Sequence, residues 1–329
     1  RVDRRRILLS SQLFQMSMAM ALGILFLLDR LGIAAILVIA FLTGLAQSQS
    51  APTYQATLTS LVPPEKIPNA VALNSLQFNL SRAIGPVIAG ILLAKAGTGA
   101  CFAANALSFV AVIVAIWRIE LPPIASATKE SLGQSLLAGI RHVRESPILS
   151  ILTALGATGS FLAFPLITFL PVIAGDVLKT GAAGYSLLLT SLGVGAIAGA
   201  VTTAQRGSTA GRGRLMLLAF MGFGVATFGA VLVERQWLAM ALLTGSGFSL
   251  TTAFSTLNSL VQEHAPNALR GRVLSIFGLA FRGGMPVGSL AAGALVKAFG
   301  APAVMGTFAG VLFVVAATIR LRNERLRAL

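Results

Sequence analysis

The sequence predicts an all-helical integral membrane protein built from two related helical bundles. Three observations carry this. The 329 residues are 56% hydrophobic but only 11% charged, against roughly 25% charged in soluble domains. The charges fall in short clusters separated by long charge-free runs. A stretch of about 55 residues, Leu42 to Gly97, returns as Leu243 to Gly300. Leu42-Thr43-Gly44 recurs as Leu243-Thr244-Gly245, Ser60-Leu61-Val62 as Ser259-Leu260-Val261, and Pro68-Asn69-Ala70 as Pro266-Asn267-Ala268. Arg82, Pro86 and Lys95 recur as Arg282, Pro286 and Lys297. Chance matching of apolar residues would not keep Arg, Pro, Asn and Lys in register, so the chain carries a multi-helix unit twice.

The elements follow from span length. About 20 apolar residues at ~1.5 Å per residue cross ~30 Å of hydrocarbon. The charge-free runs are Ile7–Leu28, Leu31–Pro64, Ala96–Trp117, Ser146–Gly175, Thr180–Gln205, Leu215–Val233, Gln236–Gln262 and Ala298–Ile319. Two further spans, about Val71–Ala94 and Val273–Val296, are each interrupted by one arginine. Ten helices are expected. The two copies begin six helices apart, so both halves share one orientation. The second half holds six helices and the first shows four; ten of twelve are thus expected here, with two lying before Arg1. The expected organisation is a bundle over 1–119, a linker over 120–145 and a second bundle over 146–329.

Lysines and arginines set the orientation. With Arg1–Arg6 in the cytoplasm, 18 lie on that side, five on the other and two within the membrane, as the excess of cytoplasmic positive charge requires. The net charge of +15 is therefore a topology signal, and nothing points to nucleic acid. In the linker, Leu132, Leu136, Leu137, Ile140 and Val143 share one helical face, which predicts a short amphipathic helix on the cytoplasmic surface. Ser146-Pro147 reads as the cap and first turn of the next helix. The one cysteine, Cys101, sits in an apolar run and forms no disulfide within the chain.

Candidate functional residues are those that hydrocarbon tolerates poorly. Arg82 and Arg282 fall within spans, where a charge costs at least ~2.5–3.5 kcal/mol on insertion scales. Each reads as a cation facing a polar pathway, or as an arginine bonded to neighbouring helix carbonyls. Gln47, Gln49, Tyr54, Asn74, Gln77 and Asn79 in the first copy, with Ser249 and Thr252 in the second, supply amides and hydroxyls that need partners or water. They predict a hydrated cavity between the halves. Phe161 and Phe164, with Pro165, Phe169 and Pro171, give another helix an aromatic, interrupted face, which also suits lipid contact or packing. Gly85, Pro86 and Gly90, and Gly284, Pro286 and Gly288, read as kinks and close-packing points that let bundles rock. The GxxxG spacings at Gly195/Gly199, Gly284/Gly288 and Gly306/Gly310 are weak signals in a chain with 34 glycines. The ten acidic residues and both histidines fall in or beside loops. No phosphate-binding loop, nucleophile–base pair or metal cluster is evident, so neither enzyme chemistry nor a cofactor is expected.

Two six-helix halves joined by a cytoplasmic linker resemble the major facilitator superfamily. The start, Arg1-Val2-Asp3-Arg4-Arg5-Arg6-Ile7-Leu8-Leu9, is similar to the tail of that superfamily's loop motif between helices two and three, with Arg1, Arg4 and Arg5 at its basic positions and Asp3 where the motif has Gly. Arg82-Ala83-Ile84-Gly85-Pro86 through Gly90 is similar to the Gly-Pro motif of helix five in exporters and antiporters. Gln55–Gly97 and Arg270–Gly300 resemble the branch of enterobactin and macrolide exporters, the transmembrane secretion effector type. The resemblance implies a monomeric multi-pass transporter of a bacterial inner membrane, working by alternating access. It would export small hydrophobic or amphiphilic molecules and couple to protons, with the coupling carboxylate on the two preceding helices. A lipid or lysolipid flippase, an importer of the same fold, and a non-transporting membrane scaffold are the competing readings.

Overall fold

In hydrocarbon a backbone must satisfy its own hydrogen bonds, which a helix does within one segment. The computed structural model describes residues 4–63, 66–119, 132–206, 211–266, 269–324 and 326, and among them there is no strand. At 51–52, 55–56, 59, 67–69, 71–72, 75–76, 78–79, 82–83, 86–87, 90, 94, 132–136, 138 and 270 it describes the backbone alone. The helices run α1 Arg4–Leu27, α2 Ile33–Ser60, α3 Ile67–Arg118, α4 Leu132–Glu145, α5 Pro147–Ala163, α6 Pro165–Val172, α7 Gly181–Arg206, α8 Arg212–Leu232, α9 Gln236–His264, α10 Arg270–Phe299 and α11 Ala301–Arg322. The 24 residues of α1 make a rod of about 36 Å. Nine helices among the described residues are long and apolar enough to cross a membrane. The tenth expected span, Val71–Ala94, is helical too, within the earlier part of α3.

By contact the chain divides into two units, Arg1–Gln77 with Ile88–Ala127, and Phe78–Val87 with Thr128–Leu329. In the first, α1 packs along α2. The 52 residues of α3 are broken at Gly97, whose φ of 76° and ψ of −179° belong to a backbone region essentially restricted to glycine. In the second unit, Gly300 joins α10 to α11 with φ 79° and ψ 155°, the same region. The repeat thus ends both times in a one-glycine turn. The charges had marked these boundaries at Lys95 and Lys297; both lysines are helical.

The second unit is built on a core that includes Leu149, Leu152, Phe220, Phe223, Leu257 and Leu260. Helix α4 is amphipathic and buries Val143 while exposing Leu137. It reaches the start of α10 through Gly139, where a Cβ would stand 3.2 Å from the Arg272 carbonyl oxygen. Ser146 caps α5 by accepting from the Leu149 amide at 3.4 Å, with Pro147 in the first turn. The span from Pro147 to Val177 is interrupted twice. Phe164 separates α5 from α6, and Pro171 is followed by a π-helical turn, Ile173–Val177. Proline withholds an amide from the ladder and π turns relieve the misfit.

Candidate functional site

The amide and hydroxyl groups of the first unit lie mainly on α2. Gln47, Ser48 and Gln49 are exposed, whereas Ser50 is buried. One turn further, the half-exposed Tyr54 donates its hydroxyl to Asn74 Oδ1 of α3 at 3.0 Å. Gln77, on α3, is exposed and engaged in a polar contact. Asn79, Arg82, Pro86 and Gly90 also belong to α3, at positions whose side chains lie outside the described residues, as does Arg1 altogether. Gly85 is exposed with open space beside it. A second polar chain, not anticipated from the sequence, links α1 to α2. Gln15 Nε2 donates to Ser11 Oγ at 3.1 Å, and Ser11 donates to the Ala46 carbonyl at 3.0 Å. The i,i+4 spacing of Ser11 and Gln15 inside an apolar run was the available signal.

Two arginines of the loop motif act on backbone and hydroxyl. Arg5 Nη2 donates to the carbonyls of Trp117 and Ile119, which lack helical partners at the end of α3. Arg4 Nη1 donates to Ser60 Oγ at the end of α2, at 3.3 Å. The second unit repeats this bond. Arg212 Nη1, in the first turn of α8, donates to Ser259 Oγ of α9 at 3.1 Å. Ser60 and Ser259 are repeat equivalents, so the bond belongs to the duplicated unit. Arg212 adds an ion pair to Glu263. One turn before each serine stands a buried threonine, Thr57 and Thr256, whose hydroxyl has no partner among the described residues.

In the second unit the candidates separate into buried and exposed sets. Thr252 is 1% exposed and faces Gly199 of α7, so it lies within the α7–α9 packing. Ser249 is half-buried and faces Gly222 of α8. Phe161 stacks on Phe308 of α11, with centroids 5.8 Å apart. Phe164, at the α5–α6 break, meets Phe254 and Phe281, and those two meet edge-on at 4.9 Å. Arg282 follows Phe281 on the opposite, exposed side of α10, which also shows Leu279, Pro286 and Leu290. The inner side carries Gly284 and Gly288. A Cβ on Gly284 would lie 2.6 Å from the Ala157 carbonyl oxygen, and one on Gly288 would collide with the backbone of Phe161. These two glycines serve contact between α10 and α5. Outside the spans, Glu145 accepts from Arg141 Nε at 2.7 Å and raises the pKa of that exposed guanidinium. Among the described residues no group of three or more His, Cys, Asp or Glu is placed to hold a metal.

A family model described as transmembrane secretion effector matches residues 1–328. The chain belongs to the transmembrane secretion effector family. Proteins similar to it include the multidrug efflux pump Tap of Mycolicibacterium fortuitum, 29% identical over 313 residues, covering 91% of this chain and 75% of that protein. The enterobactin exporter EntS of Shigella flexneri is 28% identical over 252 residues. That match takes in 75% of this chain and 58% of the exporter, so the chain spans well under two thirds of its length. Two solved folds are similar. The crystal structure of the human organic anion transporter MFSD10 (TETRAN) superposes with a TM-score of 0.68 at 17% identity, over 96% of this chain and 76% of that one. An inward-facing bacterial homolog of the human lysosomal transporter Spinster gives 0.69 at 14% identity, over 99% and 84%. The fold is that of the major facilitator superfamily, and the protein is a multi-pass component of a bacterial inner membrane. Both of these relatives, Tap and EntS, are named for efflux or export.

Proposed function

We propose that this protein is a secondary exporter that moves small hydrophobic or amphiphilic molecules, of drug or siderophore type, out of the cytoplasm. It works by alternating access and is coupled to protons. The observation that carries this reading is the pair of exposed amides on α2, Gln47 and Gln49, continued by the Tyr54–Asn74 pair. Lipid offers such groups no partner, so they border water or cargo. The relatives named as a multidrug pump and an enterobactin exporter support export. In this reading Gln47, Gln49, Tyr54, Asn74 and Gln77 bind polar parts of the cargo, with Asn79 and Arg82 on the same helix as Asn74. Arg282 supplies a cation. Phe164 contributes an aromatic surface, and the interrupted span Pro147–Val177 supplies the bending.

The test is transport by the full-length protein in everted membrane vesicles with a panel of fluorescent amphiphilic dyes. The expected result is respiration-driven accumulation that a protonophore abolishes. Tyr54→Phe and Arg282→Ala are expected to lower the initial rate about tenfold, equivalent to ~1.4 kcal/mol at the barrier. Movement in the opposite sense, indifference to the protonophore, or no movement of any dye each rejects the proposal.

A further inference from the structure

Beside α11, on its cytoplasmic half, an open groove of about 370 Å³ runs between that helix and α5. Its walls are Ile151, Ala154 and Leu155 on one side and Val315 and Ile319 on the other, with Thr158 and Thr318. Its end is different. There Arg322 and Asn323 close the groove at the C-terminus of α11. From Val315 to Arg322 is about 10 Å along a helix axis, a third of the ~30 Å hydrocarbon layer. The groove therefore lies within one leaflet and ends at headgroup depth. That leaflet is the cytoplasmic one, because α11 ends in Arg320 and Arg322, with Arg325 and Arg327 following in the sequence, while α5 begins next to Arg141 and Arg144.

We propose that this groove binds one anionic phospholipid of the cytoplasmic leaflet, an acyl chain along α5 and α11 and the phosphate at Arg322. The groove's shape and charge agree on that occupant. An apolar trough bordering lipid takes a chain. Arg322 makes no ion pair among the described residues, so its fork is available to a phosphate, which guanidinium groups hold with two parallel hydrogen bonds. Asn323 uses Oδ1 to accept from the Leu326 amide at 2.9 Å, which leaves its NH2 to donate. The N-terminus of α5, packed against α11, adds positive potential at the same end. The neighbouring groove on the other side of α11, between Phe228, Leu232, Gly306 and Val311, has no such end; it offers a chain no headgroup partner. The site is independent of what the protein transports.

The experiment uses the full-length protein, delipidated in detergent, with phosphatidylglycerol, phosphatidylcholine and inorganic phosphate as separate probes. Native mass spectrometry counts retained lipid, and thermal unfolding reports stabilisation. The expected result is one retained phosphatidylglycerol that raises the unfolding temperature, with phosphatidylcholine and phosphate giving neither effect. Arg322→Gln weakens retention at least tenfold, Ala154→Phe fills the trough and does the same, and Arg320→Gln behaves as the parent. Equal retention of the two lipids overturns the proposal. So does full retention by the Arg322→Gln protein, or stabilisation by phosphate alone, which would reduce the site to a free-anion site.

Discussion

Gly288 stands where any side chain would run into the backbone of Phe161, and Gly284 stands one turn earlier against Ala157 and Ser160. Gly283 is their neighbour in sequence with open space beside it. The three positions make an internal control. Gly288→Ala is expected to cost about 1–3 kcal/mol through overpacking, while Gly283→Ala is expected to be neutral or stabilising by about 0.5–1 kcal/mol through helix propensity. Thermal unfolding in detergent separates them; equal effects at both sites would contradict the close crossing of α10 and α5. The spacing of glycines hinted at this, because Gly195/Gly199 and Gly284/Gly288 are both close crossings, whereas Gly306/Gly310 flanks an open groove. Spacing cannot say which glycine faces a helix and which faces lipid, since both environments are apolar. The same ambiguity applies to Thr252. Its hydroxyl reads as lining for a wet space, yet it lies in a helix interface.

At the level of elements, the shared bond is the strongest sign that the repeat is structural. Arg4–Ser60 and Arg212–Ser259 tie the start of one span to the end of the next in each copy. They are unequal in environment. The Arg212 side chain is 14% exposed and also meets Glu263, itself half-exposed. Arg212→Ala is therefore expected to destabilise by about 1.5–3 kcal/mol, and Arg4→Ala, in an exposed pair, by no more than about 1 kcal/mol. Denaturation of the two variants in the same detergent checks the order, and a larger loss at Arg4 would refute it. The helices themselves were legible from charge-free runs, because excluding charge from hydrocarbon leaves a plain trace. Their ends were less so. A run of apolar residues says where lipid begins, whereas a turn is set by φ. Gly97 and Gly300 lie two and three residues beyond the lysines that marked the boundary. The polar groups of α2 and the aromatic face at Phe161 and Phe164 were visible as residue types. The pairing of Tyr54 with Asn74, and the aromatic partners Phe254, Phe281 and Phe308, were not, because tertiary pairing leaves no local pattern.

For the whole molecule, the prediction concerns sidedness. In a Cys101→Ala background, Arg141→Cys is expected to react with a membrane-impermeant maleimide only in everted vesicles. Arg30→Cys and Arg235→Cys are expected to react only in right-side-out preparations. The reverse pattern, or mixed labelling, would overturn the orientation read from the arginine and lysine distribution. The major facilitator architecture accommodates this arrangement, with nine spans among the described residues and a tenth helical stretch within α3.

The one-residue turns at Gly97 and Gly300 carry a mechanical consequence. A single glycine between two long rods leaves no slack for either rod to slide along the other. In the second unit the two rods so joined face different neighbours, α10 lying mainly on α5 and α11 on α8. In the alternating-access cycle proposed above, compliance falls to the segment with its helical ladder cut at Phe164 and loosened after Pro171.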